Sequence, residues 1–556
     1  MINKLQRKYK FGPEERSSLF KERVAQLFLC HSRENRNLFS AQIKHFINSH
    51  FRGNDRLIGR ATRSKGMCCK LYFLLIVSLC FPSELFPQSI RSMAMGGMDL
   101  AVIDKENSFN PFYLGGNPSW MYESEKESWL KIVPSIINYS GDYRRIYTPQ
   151  SSSLYGMEFK GVKTLGTSGT FLGSTSYTYD NRKNVYRSLE YNPYAGESFF
   201  FTDTTNSDVT YDGPRVEFMY SWELLPNLFA GASASYSILK GLKKQYTYAE
   251  TTLRQFGGNV GLTYKLMDNL VFGLNARLND SQEKITSQDV NLMDVEIFYY
   301  RGETHSIYKR SASEEEKLRT KGNTFSSQVY WLPDEFSEVG LTADYSKSNI
   351  NVLIPYSVSS TESYDEYQDG YSSFNNYNLC LKGRYELKPS LIAGLAFEYS
   401  NMSSWSEYVP KDLLLWEWKI KRASVGFGMS YNFTQSLLGG FEYRFSRVDA
   451  DSSKYIDGRT ASITSNDHLI KIGLEYLLFT NLKVQAGYNY GLLGRDITGG
   501  GKNVSYNILS AGAAIDISDL WSIDALIGYS NLKPDNNSGL NRTGLTGLIV
   551  IKLNSF

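Results

Sequence analysis

Cysteine is scarce in this 556-residue chain. Four of the five cysteines fall within the first 80 residues, which leaves Cys380 alone in the remainder. A single thiol cannot build a disulfide framework within the chain, and it cannot supply the thiolates of a cysteine zinc site. The fold therefore has to be stabilised by other means.

Long apolar runs are also lacking. Residues 71–81 form an apolar run of eleven, whereas a transmembrane helix needs about 20 residues. Because the run follows Met67 and Lys70, it is typical of a secretory signal, and we predict a signal peptide over residues 67–88. Residues 1–66 are predicted to be an upstream extension, either disordered or arising from a misassigned start codon.

The charge of the extension leaves a second interpretation open. Residues 1–66 hold fifteen Lys or Arg against five Asp or Glu, so they could form a basic cytoplasmic segment that binds nucleic acid or anionic lipid. The rest of the chain holds 45 of the 60 basic and 52 of the 57 acidic residues. This excess of acidic over basic residues gives no reason to expect a nucleic-acid partner, and no such partner is predicted.

Catalytic signals are few. Beyond residue 66 the chain has only His305 and His468, and it contains neither G-x-S-x-G nor H-E-x-x-H. An acid–base pair of Asp467 and His468 would suit a hydrolase, and it is the enzymatic alternative. We predict no enzyme activity and no cofactor.

Aromatic residues and alternating patterns are abundant. The chain has 40 Tyr and 31 Phe, and in residues 270–278 apolar side chains alternate with small or polar ones. The same alternation occurs in residues 437–445 and 482–490. A strand sends successive side chains to opposite faces, so each of these strands has one apolar face. The pattern fits a soluble one-sided sheet or a membrane barrel.

The spacing of turn residues favours the membrane barrel over the soluble sheet. Short connections rich in Pro, Asn, Asp and Ser alternate with long polar stretches that are predicted as loops, such as residues 447–466. The short connections are predicted at 167–168, 226–227, 268–269, 333–335, 389–390, 435–436, 480–481 and 518–519. With a first strand at 129–139 and a last at 545–553, they give eighteen strands. Short turns on one side and long loops on the other are typical of outer-membrane barrels.

We therefore predict an all-β fold, a transmembrane antiparallel β-barrel of about 18 strands (range 14–18) over residues 129–556. A water-soluble β-sandwich is the alternative. The predicted location is the outer membrane of a Gram-negative bacterium, with outer-membrane lipid and the barrel-assembly machinery as partners.

Charged residues on the non-apolar faces are candidates to line the lumen. They are Arg277, Glu442, Arg444 and Lys483. A separate stretch, residues 449–458, has the oxygen density of a calcium loop in Asp449, Asp451 and Asp457 but lacks the distal Glu of an EF-hand. A solvated loop is the preferred interpretation, and no metal site is predicted.

Residues 91–120 carry a family resemblance. Three elements occur in order: Arg-x-Met-x-Met-Gly-Gly, Ala-Val-x-Asp and Asn-Pro. The matching positions are Arg91, Met93, Met95, Gly96, Gly97, Ala101, Val102, Asp104, Asn117 and Pro118. This motif resembles the amino terminus of the FadL-like fatty-acid transporter and porin superfamily and its Bacteroidota outer-membrane relatives. The resemblance implies that residues 89–128 fold into the barrel as a plug or hatch.

Two departures from that family limit what the resemblance implies. FadL-like barrels have fourteen strands, and their usual Asn-Pro-Ala-Gly is Asn-Pro-Ser-Trp at residues 117–120. We expect a transporter or channel component for a small nutrient, with a TonB-dependent receptor or surface lipoprotein as a possible partner. The alternative is a non-conducting scaffold that binds surface or secretion partners.

Overall fold

A computed structural model gives the fold beyond residue 88. The described residues are 89–102, 116–195, 198–244, 248–288, 295–301, 305–311, 313–357, 364–456, 458–496, 500–535 and 539–554. The predicted extension 1–66, the predicted signal 67–88, Asp104 and Asp457 lie outside them. Within the described residues, no helix has both the length and the apolar character needed to cross a membrane.

The described chain is dominated by strands. These are β1 (Trp129–Gly141), β2 (Ser151–Thr164), β3 (Thr170–Ser188), β4 (Phe199–Leu225), β5 (Leu228–Lys243), β6 (Glu250–Met267), β7 (Leu270–Gln288), β8 (Val295–Arg301), β9 (His305–Ser311), β10 (Ser313–Trp331), β11 (Ser337–Ser357), β12 (Tyr364–Lys388), β13 (Leu391–Tyr408), β14 (Leu413–Asn432), β15 (Leu437–Lys454), β16 (Arg459–Phe479), β17 (Leu482–Arg495), β18 (Lys502–Asp516), β19 (Trp521–Lys533) and β20 (Arg542–Asn554). The helices are short: α1 (Ile90–Ala94), α2 (Met121–Ser124) and 3₁₀ turns at Pro118–Trp120, Gly166–Ser168 and Val409–Lys411.

Eighteen of these strands close into one barrel. Each pairs antiparallel with its neighbour in the chain, except that β7 pairs directly with β10. The first and last strands then pair with each other, from Trp129 opposite Asn554 to Gly141 opposite Arg542. The two remaining strands, β8 and β9, form a hairpin whose β8 pairs with the start of β4. The predicted fold class, a closed antiparallel barrel of about eighteen strands, is confirmed.

The short connections lie where the turn residues predicted them. All eight predicted sites fall between consecutive barrel strands, as at residues 226–227 between β4 and β5 and 480–481 between β16 and β17. Asn227 has a φ of 66°, a left-handed conformation that Asn adopts more readily than most residues. These eight turns mark one end of the barrel, which we call the short-turn end.

The long polar stretches are mostly strand, and their prediction as loops was wrong. Residues 447–454 and 459–466, for example, form a continuous ladder in which Arg447 lies opposite Asn466 and Lys454 opposite Arg459. Polar side chains do not prevent strand pairing, because the ladder bonds backbone groups whatever the side chains contact. The opposite end, called the far end, is therefore an extension of the barrel wall.

An apolar band surrounds the outside of the barrel near the short-turn end. On β14 to β16 it includes Val425, Phe441 and Leu474, each at least 40% exposed. Towards the far end the same outward face becomes polar at Lys419 and Asp449. A band about ten residues tall matches the hydrocarbon thickness that a tilted strand must cross. This face is the lipid-contacting surface of the transmembrane barrel.

The inward face has the opposite character. Asn259, Asn275, Gln328, Gln485 and Asn489 are all less than 9% exposed although they are polar. The first three bond one another: Gln328 Nε2 donates to Asn275 Oδ1 at 2.6 Å and Asn275 Nδ2 donates to Asn259 Oδ1 at 3.0 Å. Buried polar groups are stable only when bonded in this way. The interior is thus a polar, hydrogen-bonded wall.

Candidate functional site in the barrel interior

Residues 89–102 lie against the inward face of the wall, and we call them the amino-terminal segment. They begin with α1, where the Ser89 hydroxyl caps the helix by accepting from the Ser92 amide at 3.0 Å. Ala94, Met95 and Met98 are fully buried. Because Ala94 packs near Leu526 and Val550 on the inward faces of β19 and β20, the segment lies inside the barrel.

Two glycines turn the segment after α1. Gly96 has a φ of 78° and Gly97 a φ of 74°, both in the left-handed region where side chains are disfavoured. The turn is closed by the Gly97 amide, which donates to the Ser92 carbonyl at 2.8 Å. Ser510 bonds both sides of it, donating to the Ala94 carbonyl at 2.8 Å and accepting from the Gly96 amide at 3.2 Å.

The wall opposite the segment is lined with glycine. Adding a Cβ at Gly473 would bring it within 2.6 Å of the Met95 carbonyl, and adding one at Gly487 would overlap the Gly96 backbone. Five further glycines on the described strands face the segment closely: Gly394, Gly426, Gly428, Gly440 and Gly512. They lie on the six consecutive strands from β13 to β18. A groove without side chains is thus shaped to the backbone of the segment.

Asp99 carries the charge at the centre of this contact. Its carboxylate lies 2.9 Å from Lys471 Nζ, 3.3 Å from Lys382 Nζ and 3.6 Å from Arg444 Nη2. Burial raises the pKa of the Asp99 carboxyl, but these three cations outweigh it and hold the pKa well below its usual range. The segment therefore presents an ionised carboxylate to three cations on three different strands.

Glu442 holds the backbone beside Asp99. Its Oε1 accepts from the amides of Asp99 at 2.9 Å, Leu100 at 2.6 Å and Ala101 at 3.3 Å. Its other oxygen lies 3.3 Å from Lys471 Nζ. A carboxylate that accepts several backbone amides makes charge-assisted bonds, which are about twice as strong as neutral ones.

A second ion pair holds the start of the segment. Arg91 makes a bidentate contact with Glu475, with both nitrogen–oxygen distances at 2.7 Å. Gln485 Nε2 supports the same carboxylate at 3.2 Å. Arg91 and Gly96 were predicted from the family motif, and both contact the wall; Met93 lies nearby, partly buried against Ile90 and Ala94.

The Asn-Pro element attaches to the opposite half of the barrel. Asn117 Nδ2 lies 3.2 Å from the carbonyls of Leu262 and Leu274 and from Gln328 Oε1. Pro118 begins a 3₁₀ turn whose backbone fits against Gly231, where a Cβ would overlap it. The amino-terminal region therefore contacts the wall both at β12–β20 and at β4–β10.

At the far end of the barrel, a short stretch around the start of β4 makes contacts of a different kind. Residues 198–203, the far-end cap, place Phe199, Phe200 and Phe201 at no more than 1% exposure. Phe199 packs in a cluster with Leu318 and Trp416, which come from β10 and β14.

The other two rings complete the cap. Phe201 packs with Ile285 and Ile297, and Phe200 lies 4.9 Å from the ring of Tyr147. At the end of the cap, Asp203 forms an ion pair with Lys243 at 2.7 Å, in which both side chains are almost fully buried. The cap is therefore built around an apolar core.

One family model matches residues 118–412, which is more than half of the chain. Its description is a family of unknown function, DUF6850. The chain belongs to the DUF6850 family. No curated protein matches this family member.

Several solved barrels resemble the DUF6850 chain at low similarity. The toluene transporter TbuX of Ralstonia pickettii is 12% identical, with 85% of this chain and 100% of that one covered and a TM-score of 0.33. A FadL homologue of Pseudomonas aeruginosa is 12% identical, covering 84% and 98%, with a TM-score of 0.33. The siderophore receptor PiuA of Acinetobacter baumannii is 9% identical, covering 77% and 82%, with a TM-score of 0.40. Similarity at this level does not assign the substrates of those proteins to this chain.

The four predicted lumen residues divide into two kinds. Glu442 and Arg444 contact the amino-terminal segment, as described above. Arg277 faces inward and interacts electrostatically with Asp344. Lys483 is exposed near the short-turn end of β17, on the same face as buried Gln485. The structure brings only the first two of these residues together.

The remaining candidates are dispersed. Asp449 and Asp451 lie in strand β15, and Asp449 accepts from Thr464 Oγ1 at 2.7 Å. Among the described residues, no group of three His, Cys, Asp or Glu could hold a metal ion.

The enzymatic alternative also lacks its geometry. Asp467 accepts from the Gly494 amide on the inward face, whereas the His468 ring stacks on Tyr443 and hydrogen-bonds its hydroxyl on the outward face. Neighbours on a strand point to opposite faces, so these two side chains cannot act as one pair.

Sequence reasoning missed the residues that contact the segment most directly. Asp99, Lys382 and Lys471 were not singled out, and neither was the glycine groove. A usable signal existed in the glycines, because they recur on the polar face of several alternating strands. Gly440 and Gly487, for example, both sit on faces predicted to point into the lumen.

Proposed function

We propose that this protein is an outer-membrane transport barrel of a Gram-negative bacterium. In this proposal, small nutrients pass through its lumen when the amino-terminal segment leaves the wall. The apolar outer band and polar interior suit a barrel with lipid outside and water inside. In an outer membrane the short-turn end would face the periplasm.

The observation that carries the proposal is the chemistry of the segment's attachment. Asp99, Arg91 and the amides beside Glu442 contact the wall through charges and hydrogen bonds. Such contacts can be exchanged for water at a modest net cost of about 1 kcal/mol for each ordinary hydrogen bond. A segment held in this way can leave an aqueous lumen, and this is what a gate requires.

Solute flux tests the proposal. The full chain is purified from outer membranes, reconstituted into liposomes and compared with Asp99→Ala in a swelling assay with a neutral sugar. Losing a charged contact of about 1.5–3 kcal/mol should raise the open population, and hence the flux, about tenfold. The control is Asp449→Asn, an acid on the outward face. Equal and negligible flux in all three proteins would refute transport.

The far-end cap favours a second function. Phe199, Phe200 and Phe201 pack across strands as a buried core, which resembles permanent closure more than a gate. A non-conducting scaffold would use the polar wall beyond the apolar band to bind surface or secretion partners. A TonB-dependent receptor or a surface lipoprotein is the proposed partner class in either case. The barrel-assembly machinery is proposed to insert the protein.

A further inference from the structure

The wall beside Asp99 has the composition of an anion-binding site. Lys382, Lys471 and Arg444 come from β12, β16 and β15, and their side chains are 28%, 10% and 19% exposed. All three converge on one carboxylate that belongs to the amino-terminal segment. A carboxylate bound to three partly desolvated cations is a stronger arrangement than an exposed surface ion pair.

The charges of this cluster balance only when Asp99 is present. Arg444 also contacts Glu398 at 3.3 Å, and Lys471 also contacts Glu442 at 3.3 Å. The wall alone therefore supplies three cations and two carboxylates. When Asp99 leaves, one positive charge is uncompensated in a confined part of the lumen, and an uncompensated buried charge is costly.

We infer that Lys382, Lys471 and Arg444 form a binding site for a small carboxylate or phosphate solute, and that Asp99 occupies it as a tethered substitute. A solute anion that enters the lumen would compete with Asp99 and favour release of the segment. A ligand shifts a two-state gate only by its differential affinity for the two states, and in the parent protein, where Asp99 fills the site of the bound segment, a solute can reach it only in the released state. The gating part of this inference rests on the proposed transport function.

Direct binding tests the site without depending on transport. Asp99→Ala removes the tethered carboxylate and leaves space for a free one, whereas Asp99→Asn fills the same space with an amide. Sodium acetate is titrated calorimetrically into each detergent-solubilised full-length variant, with sodium chloride keeping the ionic strength constant. We expect acetate to bind Asp99→Ala, and to bind Asp99→Asn at least about tenfold more weakly.

A second change identifies the cations. Adding Lys471→Gln to Asp99→Ala should weaken acetate binding about tenfold, because one charge-assisted contact is lost. Lys419→Gln is the matched control, since Lys419 lies on the outward polar face and should have no effect. Sodium phosphate in place of acetate distinguishes the two solute classes. Acetate and phosphate binding that is absent, or equal in all variants, would overturn the inference.

A flux measurement distinguishes a failure of the anion-site inference from a failure of the proposed transport function. In liposomes, acetate should lower the raised sugar flux of Asp99→Ala, because an anion then restores the balance of the site and the segment can return. High flux that does not respond to acetate would support transport and refute the gating part of the inference. Acetate binding in a variant without flux would support the site and refute transport.

Discussion

Besides burying apolar side chains such as Ala94 and Met98, the amino-terminal segment at the short-turn end of the barrel meets the wall through charges and backbone amides. At the far end, the cap buries three phenylalanine rings among apolar side chains. Water can replace the first kind of contact, since it also bonds ions and amides. It cannot replace the second kind, because exposing an aromatic ring costs about 25 cal/mol for each Å². These two contact regions of one barrel therefore differ in how readily water can replace their contacts.

The cap should give the largest effect on stability. Phe201→Ala removes a fully buried ring and is expected to cost about 3–5 kcal/mol. Urea unfolding in lipid vesicles, followed by tryptophan fluorescence, measures this change. Phe218→Ala is the control on the same strand, because that ring is 53% exposed on the outward face. Similar losses for both variants would show that the cap is not a core.

The glycine groove should give the next largest effect, at the other end. Gly487→Ala places a Cβ into the Gly96 backbone, so the segment should leave the wall without loss of the barrel. Trypsin cleavage after Arg91 reports this release and should become at least about tenfold faster, which corresponds to about 1.4 kcal/mol. Gly383→Ala is the control, since its Cβ would meet nothing closer than 3.9 Å. Equal cleavage in both variants would contradict the proposed fit.

Acid should act on the segment only at low pH. The pKa of the Asp99 carboxyl is depressed when the segment is bound to the wall. Ionised Asp99 therefore stabilises the bound segment fully above the ordinary aspartate pKa of about 4. This stabilisation of the bound segment is lost as the pH falls through the depressed pKa of Asp99. Protection of Arg91, assayed with a protease active in acid, should be unchanged from pH 7 to 5 and should decline below about pH 4. Release between pH 7 and 5 would mean that another group controls attachment.

The smallest effect is expected outside the lumen. His468→Ala removes a ring that stacks on Tyr443 at the outward face, away from the amino-terminal segment and the far-end cap. Sugar flux and Arg91 protection should remain within about twofold of the parent protein. A large change in either would show that the outward face takes part in opening.

The architecture was predictable because its signals are local. Alternation within single strands predicts which side chains face the lumen. Turn residues such as Asn227 predict where one strand ends and the next begins, and so how many strands there are. The loop prediction for residues 447–466 failed because polarity reports contact with water and not the absence of strand pairing. The residue types in that stretch did not indicate that backbone pairing between the two strands continued through it.

The interior contacts were less predictable because they join distant residues. Asp99 and Lys471 are 372 positions apart, and no spacing rule links them. Glu442 and Arg444 were placed in the lumen by alternation, but their partners were invisible without the fold. The motif glycines Gly96 and Gly97 indicated a tight turn, and the structure shows which wall glycines meet it.

A reversible lock tests the central claim, which is that the amino-terminal segment closes a barrel able to conduct. A Cβ on Gly428 would lie 3.4 Å from the Ala101 Cβ, close to the separation of about 3.8 Å in a disulfide, and 2.9 Å from the Leu100 Cβ, so the reduced cysteine loosens the segment and the disulfide holds it. Ala101→Cys and Gly428→Cys are combined with Asp99→Ala, with the native cysteines replaced by serine, and conductance is recorded in planar bilayers. The account predicts closed channels when oxidised and open channels after reduction. Conductance that is the same in both states would contradict it.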